Sequence, residues 1–569
     1  MAVWCVASKK TEPTLLETVA AVRDVPTAAR YPDRFPAAAA SAARLTQAVE
    51  NGETIAVFGD YDCDGVCAAA VVAGFLKKLN ARLIVRLPLR SEGYGLRPQQ
   101  VKELVQKGAS LIVTVDNGTS AVEAARAAKE LGADLIVTDH HEPPKNLSPT
   151  PYLVNPKVSK DGYAEYSGAG VAYLFCCEAA RLLNLPEPAE LLDLVALATV
   201  ADVCPVTGEN FALSRKGLFR MRERPRPGIA ALAEAARVKK LGGYALAWQL
   251  GPRINAAGRM ADPALAYRLL TTESINEAAN LAKELDRLNG QRQEMVEKAF
   301  KECLENHKRR AFPVFITEYP HGIAGVVAGK LAERLCRPVL VGSLKNGLVR
   351  ASGRTTGGFD LFGALVECQE RTRSFVSLGG HRKAAGAAFE QKDAGKISAV
   401  LNGIALRDLK VEDITKTIDV DAALDRPVTP EEVAALDALE PFGEGNPEPA
   451  FYVSGPVEVV KQDTGWALVR LGGLKMFVKP EDLRGSRLEA VVNLRLDGMG
   501  EVTAQKVDVR QFSLTRDYLA ECYPDWKAGR KVPAVAERVF EELRLAEKRP
   551  GEKRNLLASA VYREFGLQF

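Results

Sequence analysis

The sequence predicts an α/β protein built on a parallel sheet, and three observations carry that reading. Short β-branched runs, IAVF from Ile55, LIVRL from Leu83, LIVTV from Leu111 and LIVT from Leu135, alternate with Ala-rich helical patterns at Val66 to Leu79 and Ala121 to Leu131. Such alternation builds βαβ units. Several runs give way to acidic residues, where open α/β sheets place their ligands. A length of 569 residues also allows roughly four domains at about 150 residues each.

Residues 1–50 are expected to form an N-terminal segment and 51–275 the parallel-sheet domain, whose later helices include Ala189 to Val203. Glu277 to Arg310 reads as one long charged helix broken only by Asn289-Gly290, too polar for a core and suited to bridging domains, which makes 276–311 a connector. A second, smaller α/β domain over 312–410 has strands at Val314 to Thr317 and Pro338 to Gly342, a helix from Ile323 to Arg334, and a Gly-rich segment at Gly379 to Gly386. Residues 411–512 then carry short strands separated by turns (Phe451 to Ser454, Ala467 to Leu471, Lys475 to Val478, Leu488 to Leu496, Glu501 to Val509), with Pro441-Phe442-Gly443-Glu444-Gly445-Asn446-Pro447 at their entrance. That spacing fits a small barrel such as an OB-fold. The tail, 513–569, looks helical, with apolar spacing through Val535, Val539 and Leu543.

A net charge of +4 on so long a chain predicts no polyanionic partner by itself. None of the ten cysteines forms a CxxC pair, and Cys63, Cys67, Cys176, Cys177 and Cys204 lie in apolar or motif segments. This fits a reducing compartment better than a disulfide framework or a zinc ribbon. The start, MAVWCVASKK, puts its lysines after a short apolar run, the wrong order for a secretory signal, and no apolar stretch is long enough to cross a bilayer. The expectation is a soluble, cytoplasmic monomer without a membrane partner.

The sharpest signal is Asp60-Tyr61-Asp62-Cys63-Asp64-Gly65. Carboxylates this close repel by roughly 4 kcal/mol per pair at about 4 Å and an effective dielectric near 20, so some must protonate unless a cation is present. A turn capping the next helix explains one aspartate well and three poorly. Val115-Asp116-Asn117-Gly118 would read alone as a hairpin turn, but a helix, not a strand, follows. Asp139-His140-His141 uses two of only five histidines, and Asp202 ends an apolar helix. Together these make a two-metal site, with Asp and His suiting Mn2+ or Mg2+. Such sites activate water and clamp the attacking and leaving oxygens of a phosphoryl transfer.

The ordered set GDYDCDG, VDNG, TDHH and ADV resembles the DHH phosphoesterase superfamily, and Ser377 to Gly386 (SLGGHRKAAG) is similar to the GGHxxAAG signature of its first associated domain. With the long helix, PFGEGNP and the barrel, the resemblance runs from about Phe35 to Phe512 and points to the single-strand-specific 5′ to 3′ exonucleases of that superfamily. It implies a DHH parallel-sheet domain joined by a long helix to the associated domain, then an OB-fold and helical tail. It also implies two ions, with Asp62 and Asp116 on one, Asp64, Asp116, His140 and Asp202 on the other, and Asp116 bridging. Asp60 completes the first ion or orients its water. His141 and His381 would reach the scissile phosphate, and Ser352 and Arg354 a terminal phosphate. Arg253 and Arg259 match a further family block without showing which touches phosphate. His321 stands one position away from the family's histidine. Single-stranded DNA is the implied substrate, with single-strand-binding protein and a helicase as further partners.

Gly379 and Gly380 let backbone approach a phosphate, with a Gly-rich turn entering a helix as the alternative. On the barrel Phe442, Phe451, Tyr452, Trp466 and Phe477 offer at most one or two faces to bases, the others being core. Arg487, Arg495, Lys475 and Lys479 could follow a backbone or stay solvated. An oligonucleotide or cyclic-dinucleotide phosphodiesterase and an inactive single-strand-binding scaffold are the competing readings.

Overall fold

A computed structural model describes residues 3–8, 14–23, 30–160, 162–307, 310–483 and 487–511, with a few isolated residues between 523 and 541. The expected helical tail therefore lies almost wholly outside the described residues. These residues fall into two compact units, one from 30–417 with 439–448, the other from 4–23, 418–438 and 449 onward.

Five parallel strands form the first sheet in the order Arg82–Arg86, Thr54–Phe58, Leu111–Val115, Asp134–Thr138, Tyr152–Val154. Both faces are covered, as strands with no polar alternation require. Ile55, Val57, Leu111, Val113 and Ile136 join one apolar cluster, and Ala56, Phe58, Ile112, Leu135 and Val137 the other, because neighbouring side chains on a strand point to opposite faces. Cys63–Lys78 is buried along most of its length and packs on Gly168–Leu182 and Leu192–Ala201.

The long helix, Ile275–Glu305, differs from the expectation in two ways. It runs unbroken through Asn289-Gly290, and it is not excluded from the core: Leu281, Leu285 and Leu288 join the first-sheet cluster, and Val296, Ala299 and Cys303 that of the second sheet. Its high charge hid a narrow apolar stripe, of the kind that suffices to seat a surface helix.

The second sheet has the order Phe375–His381, Ala384–Glu390, Leu348–Arg354, Val339–Lys345, Val314–Thr317, antiparallel except for its last pair. The Gly-rich segment is its edge hairpin. In the second unit Phe451–Gln462, Ala467–Leu471, Leu474–Val478, Val502–Gln511 and Arg487–Leu496 close into a five-stranded barrel, with the last strand returning to the first. This is the connectivity of an OB-fold.

The sequence reading missed two strands of this unit, Thr417–Ala423 and Val3–Ser8, which extend the barrel sheet. Here Trp4 Nε1 donates to Asp508 at 2.9 Å, and Arg23 grips Asp421 with two donors. The PFGEGNP segment, expected at the barrel entrance, belongs to the first unit. Its Glu444 carbonyl accepts from Val206 N–H at 2.7 Å, and Gly243 packs against Phe442. Phe442 is thereby removed from the barrel's aromatic set.

Candidate metal centre

In the first sheet the strand order reverses at Thr54–Phe58, with the later strands laid on its other side. Ligands gather at such a point. Asp60, Asp62 and Asp64 follow Thr54–Phe58, Asp116 follows Leu111–Val115, His140 and His141 follow Asp134–Thr138, and Asp202 caps the end of Leu192–Ala201.

The structure brings these residues together around His140. Its Nε2 lies 3.1 Å from Asp116 Oδ1, 3.6 Å from Asp64 Oδ2 and 3.9 Å from Asp202 Oδ2. Its Nδ1 donates to the Tyr166 carbonyl at 2.9 Å, which leaves the Nε2 lone pair aimed at the carboxylates. Burial, then the charge of His141, lowers this imidazole to about 4, so it is neutral at physiological pH. Asp116, 2 % exposed, stands in the left-handed region at φ 61°, and its Oδ1 has no hydrogen-bond partner. A buried, orphaned carboxylate oxygen on strained backbone fits a ligand to a cation. Asp116 also shares a tight ligand cluster with Asp60 and Asp62 and another with His140 and His141.

The surrounding carboxyl groups carry the electrostatic load. Burial, then Asp62, raises Asp60 to about 8. Burial likewise lifts Asp64 to about 7, although it accepts from Gly168 N–H at 2.6 Å and Ala169 N–H at 2.8 Å. Burial, followed by the neighbouring aspartates, pushes Asp116 well above the carboxylate range, and Asp202, partly desolvated and crowded by Asp64 and Asp62 although its side chain keeps solvent access, moves the same way. Asp62 also caps Cys63–Lys78, accepting from Gly65 N–H at 3.0 Å. Four acids that resist ionisation around one neutral imidazole fit a divalent pair.

Sequence reasoning missed several supports. Asp139 does not join the ligand clusters; it accepts from Thr119 N–H at 2.9 Å and from His141 Nδ1 at 2.8 Å. Burial opposes the charge on His141, but the bond to Asp139 outweighs it and raises the imidazole to about 9. The Tyr94 hydroxyl lies 3.1 Å from the same nitrogen. Asn255, in the GPRINAAGR block, accepts from Cys63 N–H at 2.9 Å. At Gly168 a Cβ would sit 2.5 Å from Asp116 Oδ1. Gly168→Ala is therefore expected to lower Mn2+ affinity by roughly 10–100-fold, the range typical when support for a ligand is lost; calorimetric titration measures it.

A basic group faces the acidic one. Arg259 is half-buried, donates to the Gly322 carbonyl at 2.8 Å, and is lowered to about 10 by desolvation and then by Arg90 and Arg292, while Asp62 opposes the shift. Arg90 stacks on Tyr61 at 4.2 Å. Arg253 is tied to Asp286 at 2.8 Å and to the Gln249 carbonyl at 2.7 Å. Geometry thus separates two arginines that spacing could not, leaving Arg259 with the acidic cluster. Ser352 and Arg354 share one strand, and a Cβ on Gly325 would lie 3.2 Å from the Arg354 guanidinium and 3.6 Å from Ser352 Oγ. His381 ends the exposed edge strand, within electrostatic reach of Arg354 and His141. A side chain on Gly380 would strike Ala384 and Ala385 of the paired strand, whereas Gly379 faces open space. His321 opens the helix His321–Leu335, and its Nδ1 is buried without a partner.

Comparison with known proteins identifies the family. The sequence model of the DHH family, N-terminal domain, matches residues 54–199. Single-stranded-DNA-specific exonuclease RecJ of Escherichia coli strain K12 is 33% identical over 515 residues, covering 82% of this chain and 86% of the relative. The chain belongs to the RecJ family. The RecJ of Bacillus subtilis strain 168 is 38% identical over 428 residues, 73% of this chain, which spans only 54% of that relative's length. A crystal structure of RecJ in complex with Mn2+ from Thermus thermophilus superposes with a TM-score of 0.78 at 28% identity, covering 92% of this chain and 83% of that one. No helix among the described residues is long and apolar enough to cross a membrane.

Proposed function

We propose that the chain is a metal-dependent exonuclease that hydrolyses single-stranded DNA from the 5′ end to 5′ mononucleotides. The observation that carries this reading is the convergence of Asp64, Asp116 and Asp202 on His140 Nε2, with Asp116 Oδ1 left unpartnered. Asp62 and Asp116 hold one Mn2+ or Mg2+, and Asp64, Asp116, His140 and Asp202 the other, with Asp60 beside the first. A bound pair of this kind supplies an acidified water and offsets charge on the phosphoryl oxygens.

The chain's own groups complete the site. His141, kept cationic by Asp139, stabilises the scissile phosphate, and His381 reaches it from the edge strand. Arg354 and Ser352 bind a terminal phosphate, with Gly379 and Gly380 admitting backbone close to the strand. Arg259 fills the phosphate role left open between it and Arg253, because Asp286 occupies Arg253. On the barrel Trp466 and Phe477 pack edge to face at 5.4 Å, with Lys461 over Trp466 and Phe477 60 % exposed. Phe451 is core, and Lys475 and Lys479 are paired to Glu501 and Glu481. An aromatic pair with one exposed and one half-buried ring beside a cation suits base stacking on single strands.

The domain assignment is 51–275 for catalysis and 312–410 for the terminal phosphate, and the expected 411–512 barrel domain is narrowed to 418–438 with 449–511 for the strand, since 411–417 and 439–448 belong to the first unit. The 276–311 helix connects the first two. A helicase that opens duplex and a single-strand-binding protein that keeps it open are the partners such a monomeric enzyme requires.

A time course on end-labelled single strands with Mn2+ tests the proposal. Mononucleotides released progressively from the 5′ end are expected; internal fragments, or preferred hydrolysis of dinucleotides, would overturn it. Arg354→Ala is expected to reduce the preference for a 5′-phosphate over a 5′-hydroxyl by about tenfold, the value of one charge-assisted contact near 1.4 kcal/mol. Competition between the two labelled strands reads that ratio.

A further inference from the structure

Cys204 has no part in the proposed reaction, yet its thiol lies at the metal centre. Its Sγ is 3.6 Å from Asp202 Oδ2, and Cys204, Asp202 and His140 form a compact ligand set of their own. Cys204 itself is 7 % exposed, while the Asp202 side chain keeps 35 % exposure and so leaves an approach from solvent. The His140 Nε2 in this set faces Asp116 Oδ1, the buried oxygen without a partner, at 3.1 Å.

Spacing distinguishes the ions this set can take. Bonds of about 2.3 Å to sulfur and about 2.1 Å to oxygen give a tetrahedral edge near ~3.6 Å, which is the sulfur–oxygen separation found here. Octahedral Mg2+, with bonds of about 2.1 Å, needs edges near ~3.0 Å and oxygen ligands. The His140–Asp202 separation, 3.9 Å, closes on a tetrahedral ion by about half an ångström. A sulfur, an imidazole and one carboxylate, with the fourth position open to water, is a donor set for a thiophilic ion.

We infer that His140, Asp202 and Cys204 form a site for a thiophilic divalent cation of the Zn2+ class, overlapping one half of the hard-ion pair. Sulfur binds as thiolate and its proton passes to solvent. An ion held there takes His140 and Asp202 away from the pair, so Zn2+ or Cd2+ inhibits the enzyme loaded with Mn2+. The binding part stands on the ligand geometry alone; the inhibition part rests on the proposed function.

The test uses the full chain stripped of metal, with Co2+ alone as the spectroscopic probe. One equivalent is expected to produce a thiolate-to-cobalt charge-transfer band, absent in both Cys204→Ser and Cys204→Ala. Zn2+ affinity should fall by about tenfold or more in these variants, as removal of the soft ligand requires, with Mn2+ affinity changed less than about twofold. No charge-transfer band in the unaltered chain, unchanged Zn2+ affinity in the variants, or a parallel loss of Mn2+ affinity would each overturn the inference. With Mn2+ present, Zn2+ should inhibit the unaltered enzyme about tenfold more strongly than Cys204→Ser, and equal inhibition would overturn the inhibitory consequence. The cobalt spectrum needs no nucleic acid, so failure of the nuclease reading would leave that measurement decisive.

Discussion

Replacing Asp116 with alanine is expected to lower kcat by at least about 10³-fold, because in the proposed site this carboxylate would serve both ions and water would lose its activation without it. Its Oδ1 is the atom 3.1 Å from His140 Nε2, and the same side chain clusters with Asp60 and Asp62. The metal-free fold should not suffer. Asp116 is driven well above the carboxylate range by burial and by Asp64, Asp62, Asp60 and Asp202, so its removal relieves crowding rather than breaking a bond. Thermal unfolding should therefore give a metal-free Tm for Asp116→Ala equal to or above that of the unaltered chain, while the increase on adding Mn2+ largely disappears. Turnover within tenfold of the unaltered enzyme would remove the bridging assignment.

The second large effect is one of pH. Asp60 is raised to about 8 and Asp64 to about 7, each from an ordinary value of 3.8. An acid whose pKa is higher folded than unfolded favours the folded chain fully only below the unfolded value, and that contribution is lost as pH rises through the folded value. Metal-free protein should thus lose stability between about pH 4 and pH 8. His141, raised to about 9 by Asp139 against its partial desolvation, adds loss of the same sign at the upper end. His140, lowered to about 4, stays neutral over most of the window. Divalent cations compete with protons for these oxygens, so the Mn2+-induced rise in Tm should be at least about twice as large at pH 8 as at pH 5.5. A rise that is flat or shrinks with pH would deny the carboxylates a shared cation.

Much of this centre could be read from the chain because strand ends are easy to find and the acids stand directly after them. Asp60, Asp62, Asp64, Asp116 and His140 follow apolar runs, and parallel pairing with a reversal of strand order brings those ends together. Supports contributed by backbone geometry were not legible. Gly168 looks like any glycine opening a helix, yet it leaves room for Asp116 Oδ1. Asp139 resembles its acidic neighbours, and only the fold turns its oxygens toward Thr119 N–H and His141. Arg253 and Arg259 occupy one motif, and a carboxylate from the long helix, Asp286, separates them. Likewise nothing in the spacing of 441–447 signals that this segment docks beside Val206 rather than on the barrel.

The barrel unit draws on both ends of the described chain. Val3–Ser8 and Leu15–Arg23 leave the ribosome well before their partners Asp421 and Asp508, which come some four and five hundred residues later. Those early residues must wait until the later ones are made, since contacts so distant in sequence form slowly and only once both halves exist. Removing Val3–Ser8 would accordingly be felt in the barrel, far along the gene from the cut.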